Sequence, residues 1–254
     1  MFTLAGYEFI RSASTVLFKS AYGAENLPLV MATMPFVVFA GVALYGRILT
    51  ALGPRRTLLV TSLGSGLLIF CCYLMLLSGS KIVTPVLFLI KELYIVLLIE
   101  QYWSYINSSL SPTTAKKVNG PVTGVAGLGG AIGGTLVGIT ASQWGAETMI
   151  LLAAVSVIPA ALLSNFTYMK LGEPEIPVAD PENGSHMGWQ KFKENRTLVY
   201  LLAVVLMSQL VAAVLDLKFQ GLLSIEFADA QDKETAFQGW FWGTLNTSVL
   251  VLQF

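Results

Sequence analysis

The fold of this chain is decided by residues 28–78, which read PLVMATMPFVVFAGVALYGRILTALGPRRTLLVTSLGSGLLIFCCYLMLLS. Two apolar runs, 28–50 and 57–78, flank a short segment rich in glycine and arginine. About 20 apolar residues are enough for a helix to cross the hydrocarbon core of a bilayer. The stretch therefore predicts two transmembrane helices joined by a tight basic loop.

The whole chain has the composition of a polytopic membrane protein. Hydrophobic residues make up 55% and charged residues 12% of its 254 residues, and a soluble domain carries about twice that charged share. The net charge is zero and no basic face is concentrated enough for nucleic-acid binding. We predict an all-α bundle with spans at 2–22, 28–50, 57–78, 83–109, 118–142, 147–168 and 198–224, and an eighth beginning near 237. The eighth has no polar exit before Phe254, so we expect the chain to be part of a longer protein.

The basic residues of the loops predict the orientation. Loops after even-numbered spans hold nine lysines and arginines, whereas loops after odd-numbered spans hold only Lys81 and Lys233. Cytoplasmic loops carry the excess of positive charge. We therefore expect an integral protein of a bacterial inner membrane with a cytoplasmic N-terminus.

One polar stretch divides the chain into two blocks. Residues 169–197 contain three prolines and an Asn-Gly pair, which are typical of a linker. We predict a six-helix transmembrane bundle over 1–168, a cytoplasmic linker over 169–197 and the start of a second bundle over 198–254. Many secondary transporters place two such halves around a site near the bilayer midplane.

The loop between the second and third spans carries a family resemblance. Gly46, Gly53, Arg55 and Arg56 have the spacing of the signature loop of the major facilitator superfamily, which the chain resembles here. The family's usual acidic residue, four positions after the first glycine, is Thr50 in this chain. The resemblance implies a conformational role for the two glycines and the two arginines.

Further segments resemble the ATP/ADP translocase-like branch of that superfamily. They are Arg11 with the segment 23–28, the segment 100–103 with Asn107, the glycine-rich fifth span, the segment 216–219, and Phe241, Trp242, Asn246 and Gln253. Members of this branch include nucleotide exchangers of intracellular bacteria and plastids, and bacterial proteins with undefined substrates. The resemblance implies transport by alternating access, with a nucleotide as the leading candidate and antiport as the family's mode.

Charged residues inside the apolar runs are the candidate site. Ionised groups in hydrocarbon are costly and usually mark a substrate or ion path. Our candidate substrate-binding residues are Arg11, Lys91, Glu92, Glu100, Asp216 and Lys218. A guanidinium suits a carboxylate or phosphate, although Arg11 has an alternative in internal pairing with Glu8 or Glu100. For Lys19, near the end of its span, the favoured interpretation is a side chain that reaches the membrane interface.

The fourth and seventh spans leave alternatives open. Glu92 and Glu100 are eight residues apart and can line one helix face, where Glu100 would lie deepest. Proton coupling through Glu100 and a static ion pair with Arg11 fit equally well. Asp216 and Lys218 lie on different faces, so we expect at least one to face the cavity. Trp240, Trp242 and Asn246 suit a heterocycle, but an interfacial aromatic belt is the favoured interpretation.

The fifth span has glycines four residues apart, among them Gly130, Gly134 and Gly138. This spacing allows close helix packing, either as a moving surface or as a static one.

The single histidine, His186, and the adjacent Cys71 and Cys72 support neither a metal site nor a cofactor. We do not expect this protein to be an enzyme.

The sequence thus predicts a secondary transporter for a small organic anion, with proton coupling as one option. A non-transporting scaffold or partial copy, and a lipid-handling transporter of the same fold, are the alternatives.

Overall fold

The computed structural model describes residues 1–110, 112–172 and 195–253. These ranges are helical with no strand, which confirms the all-α prediction. Seven α-helices are described, and α1 is joined to α2 by a short 3-10 turn at Ala24–Asn26. The helices are α1 (Phe2–Tyr22), α2 (Leu27–Leu77), α3 (Val83–Ser109), α4 (Pro112–Trp144), α5 (Ala146–Leu171), α6 (Arg196–Glu226) and α7 (Gln231–Gln253). Most of the predicted linker, residues 173–194, lies outside the described residues.

Helix α2 covers both apolar runs of the opening stretch and is interrupted at Gly53, where φ is 75° and ψ is 167°. Glycine adopts a positive φ without the steric cost that a side chain would meet. Pro54 follows, and a proline suits the first turn of the helix that resumes there. The guanidinium Nε of Arg55 donates to Oδ1 of Asn165 in α5, at 3.0 Å. The break and this hydrogen bond together fix where the second half of α2 begins.

Four helical segments are long and apolar enough to cross a membrane, judged by length and composition over the described residues. They are Ala24–Leu77, Lys116–Trp144, Ala146–Lys170 and Arg196–Glu226. The sequence predicts eight spans, two of which lie within Ala24–Leu77. The other predicted spans outside these segments are in α1, α3 and α7. Helices α1 and α3 each contain three charged residues in their apolar runs, and α7 begins with a charged turn, so these three helices are less apolar.

Helix α1 lies at the centre of the packing and contacts α3, α4, α5 and α7. The core around it includes Ile10, Leu87, Met149 and Ile150, all fully buried. Helix α6 is the opposite case, because residues 196–212 are all exposed and only its second half reaches the bundle. The charged residues of α1 therefore lie inside the bundle rather than on its surface.

Glycines bring α4 close to both α1 and α7. A Cβ built on Gly133 would lie 2.6 Å from Cα of Ala5 in α1. A Cβ built on Gly134 would lie 2.5 Å from the backbone N of Gly243 in α7. No side chain fits at either position, so the backbones pack directly against each other, as small residues permit in membrane bundles. This packing holds α7 beside the charged face of α1.

Candidate functional site

A group of polar side chains from α1, α3, α6 and α7 meets around Arg11. The guanidinium carbon of Arg11 lies 3.3 Å from the ring centroid of Trp242 in α7. Its Nη1 is 4.0 Å from Oε1 of Glu8, one turn earlier in α1. The same carboxylate oxygen accepts a hydrogen bond from Nδ2 of Asn246 at 3.0 Å. We call the group formed by Tyr7, Glu8, Arg11, Lys91, Glu92, Asp216, Trp242 and Asn246 the central cluster.

Lys91 of α3 provides the second cation of the central cluster. Its Nζ donates to Oγ1 of Thr15 in α1 at 2.9 Å and lies 3.9 Å from Oε1 of Glu92. The ammonium also lies 3.9 Å from the ring centroid of Phe88. Asp216 of α6 interacts electrostatically with Lys91. The two cations are thus accompanied by three carboxylates from three helices.

Exposure divides these residues into two sets. The side chains of Arg11 and Glu92 remain 27% and 28% exposed, whereas those of Glu8 and Lys91 are 5% and 6% exposed. Each ion pair therefore has one accessible and one buried member. The accessible members are the groups that a solute can contact, and the buried members hold them in place.

The central cluster contains buried polar atoms that find no hydrogen-bond partner among the described residues. They are Oε2 of Glu8 and Nε1 of Trp242, and the hydroxyl of Ser12, one turn after Glu8 in α1, is in the same state. Buried polar atoms are nearly always paired, by protein or by water. A carboxylate oxygen and an indole N–H close to one guanidinium leave hydrogen-bonding capacity for a water or a solute.

Two of the predicted site residues lie away from this cluster. Glu100 is exposed and makes no ion pair with Arg11, since the carboxylate within 4.0 Å of Arg11 is Glu8. Lys218 is exposed, whereas Asp216 is half-buried and its charge acts on Lys91. Trp240 is exposed on the α4 side of α7, separate from Trp242.

The predicted conformational residues have different surroundings. A Cβ on Gly130 would lie 3.0 Å from Nδ2 of Asn246, and one on Gly138 would lie 2.7 Å from Cγ of Trp240. These glycines therefore set the position of two polar or aromatic side chains of α7. Gly46 has open space where a Cβ would be, and Arg56 is exposed.

Lys19 does not reach the interface as its position near the end of α1 suggested. It is 6% exposed, and its Nζ donates to Oε1 of Gln220 in α6 and to Oε1 of Glu234 in α7. The sequence signal for this site is the presence of polar residues within the apolar run of α6 and at the start of α7. These residues contact Lys19 only through the tertiary fold, so the sequence alone does not identify them as its partners.

Within the described residues, no three side chains of histidine, cysteine, aspartate or glutamate come together as a metal site. Comparison with protein-family models, with curated proteins and with solved structures found no match. We therefore infer function from the geometry of the central cluster.

Proposed function

We propose that this chain belongs to a membrane transporter that moves a small organic anion through the helical bundle by alternating access. The observation that carries the proposal is the convergence of Arg11, Lys91, Glu92, Asp216 and Trp242 from four helices. Charged side chains grouped inside an apolar bundle are expensive and are kept where a solute or ion passes.

Arg11 is the proposed anchor for the anion. Its planar guanidinium can bind a carboxylate or phosphate through two parallel hydrogen bonds. The 4.0 Å separation from Glu8 is too long for a hydrogen bond, so the donors of Arg11 are not fully used by that carboxylate. The Trp242 ring lies 3.3 Å from the guanidinium carbon, and this cation–π contact restrains the Arg11 side chain without using its N–H donors.

The charge of the cluster restricts the substrate. Two cations, Arg11 and Lys91, face three carboxylates, Glu8, Glu92 and Asp216. An anion with several charges would be repelled unless carboxylates took up protons. We therefore favour either an anion of low charge or coupling to protons, with Glu8, which lies 4.0 Å from Arg11, as the candidate proton carrier beside the anion site.

Nucleotides are the leading substrate class because the chain resembles the ATP/ADP translocase-like branch of the major facilitator superfamily. That assignment, the two-half architecture, the cytoplasmic N-terminus and the inner-membrane location belong to this proposal. They rest on the sequence features of the signature loop and the basic loops.

Transport assays test the proposal. Purified protein is reconstituted into liposomes, and uptake of labelled ATP, ADP, AMP and inorganic phosphate is compared with uptake by protein-free liposomes. We expect at least one of these anions to accumulate above the protein-free level. A dependence on an imposed pH gradient would assign proton coupling to the carboxylates. Background uptake of all four would contradict the proposal and favour a non-transporting scaffold.

A further inference from the structure

The ammonium of Lys19 is enclosed by oxygen atoms. Its Nζ lies 3.2 Å from the backbone oxygen of Gln220 and 2.9 Å from Oε1 of the same residue, and it pairs with Oε1 of Glu234. A lysine ammonium has three hydrogens, and each is matched here by one oxygen. We call these three oxygens of Gln220 and Glu234 the oxygen cage.

The oxygen cage is built without α1. Gln220 comes from α6 and Glu234 from α7. Nε2 of Gln238 donates to Oε1 of Gln220 at 3.1 Å and to Oε1 of Glu234 at 3.3 Å, which orients both acceptors. Gln220, Glu234 and Gln238 are 4%, 4% and 1% exposed. Helix α1 contributes only the cation that fills the cage.

A cavity of about 600 Å³ lies beside the oxygen cage, and both Lys19 and Glu234 line it. Glu25 and Asp229 also line this cavity. Acidic groups around a cavity raise the local concentration of cations. A cation in the cavity therefore lies next to the carboxylate that holds Lys19.

We propose that the oxygen cage is a binding site for an alkali-metal cation, and that Lys19 fills it as a tethered substitute in this structure. Carbonyl and carboxylate oxygens are the ligands that hard cations take. The cage has one formal negative charge, so a monovalent ion can replace the ammonium with no change in the net charge of the occupied cage. Withdrawal of Lys19 without replacement would leave Glu234 as a buried unpaired charge, which is strongly unfavourable.

Replacement of Lys19 by a metal ion would change how α1 is held. Lys19 links α1 to α6 and α7 while it occupies the cage. A metal ion in its place leaves the cage between α6 and α7 intact and frees the end of α1. The site is thus a cation-dependent connection between α1 and the last two helices, and it does not depend on the nature of any transported solute.

Labelling of the unmodified protein tests the exchange. The purified protein is treated with a water-soluble amine-acylating reagent in sodium chloride, potassium chloride or choline chloride at equal ionic strength, and modification of each lysine is measured by mass spectrometry. We expect Lys19 to be modified several-fold more in sodium or potassium than in choline, because choline is too large for the cage. Lys81, an exposed lysine, is the internal control and should react equally in all three. Equal modification of Lys19 in all three salts would overturn the proposal.

A second measurement uses Lys19→Ala, which empties the cage. We expect sodium or potassium to raise the thermal midpoint of this variant relative to choline, and Lys19→Ala combined with Glu234→Gln to lose that response. A variant that melts at the same temperature in all three salts would overturn the site. Sodium or potassium could stabilise Lys19→Ala and yet leave Lys19 labelling of the unmodified protein unchanged. That result would show that Lys19 and Glu234 form a fixed ion pair, and it would overturn the exchange.

Discussion

The two charged groups along α1 differ in how fully their hydrogen bonds are satisfied. In the central cluster the ion pairs are 4.0 Å and 3.9 Å long, and Oε2 of Glu8 and Nε1 of Trp242 have no hydrogen-bond partner in the part of the chain that the structure describes. In the oxygen cage all three hydrogens of the Lys19 ammonium are matched. A satisfied buried network rigidifies the structure around it, whereas an unsatisfied one retains capacity for a ligand. The oxygen cage thus joins helices around one enclosed cation, whereas the central cluster has unused donors and acceptors for an anion.

The largest effect is expected at the oxygen cage. Lys19→Ala leaves Glu234 buried without its cation, and in choline buffer we expect the free energy of unfolding to fall by about 3–5 kcal/mol. Chemical unfolding in detergent measures the change. The control is Lys81→Ala, at an exposed lysine, which should stay within about 0.5 kcal/mol of the unmodified protein. Similar losses of stability in the two variants would show that the buried Glu234 carboxylate does not depend on Lys19.

An intermediate effect is expected where α4 holds α7 against α1. Gly134→Leu places a side chain against the backbone of Gly243, and overpacking of this kind costs about 1–3 kcal/mol. Because α7 carries residues of both clusters, solute uptake should fall together with stability. The matched control is Gly120→Leu, since a Cβ there meets open space. Equal stability of the two variants would show that α4 and α7 are not in close contact.

The smallest effect is expected for Trp242→Phe. Phenylalanine keeps a ring beneath Arg11 but removes the indole N–H, for which the described ranges offer no acceptor. Loss of the unpaired donor offsets part of the weaker ring contact with Arg11, so the free energy of unfolding should change by no more than about 1 kcal/mol. Gln238→Met in the oxygen cage, by contrast, removes two hydrogen bonds and should cost about 1–3 kcal/mol. Unfolding curves of the two variants compare the clusters directly, and a larger loss for Trp242→Phe would contradict the account.

Local sequence signals predicted the helices well, because they depend on neighbouring residues. The glycine and proline pair at 53–54 marks the break in α2, and the three-residue spacing of Glu8 and Arg11 places them on one face of α1. Composition alone indicated an all-helical bundle. The number of membrane crossings stays a prediction, since charges within α1 and α3 lower their apolar character.

The long-range contacts could not be predicted from periodicity. The partners of Lys19 lie 201 and 215 residues later in the chain, so its burial required knowledge of how α6 and α7 return to α1. The preference of Arg11 for Glu8 over Glu100 depends on which face α3 turns towards α1. That face is set by the contact of Lys91 with Thr15, which leaves Glu100 exposed.

The central claim is that Arg11 binds the transported anion, and uptake by matched arginine variants tests it most directly. Liposomes containing the unmodified protein, Arg11→Ala or Arg196→Ala are compared for uptake of the anion that the unmodified protein accumulates. Arg196 is exposed at the start of α6 and serves as the control. We expect background uptake for Arg11→Ala and normal uptake for Arg196→Ala. Because Arg11→Ala leaves the buried Glu8 carboxylate without its cation, uptake is scored only on protein that a melting curve shows to be folded. Normal uptake by folded Arg11→Ala would contradict the claim.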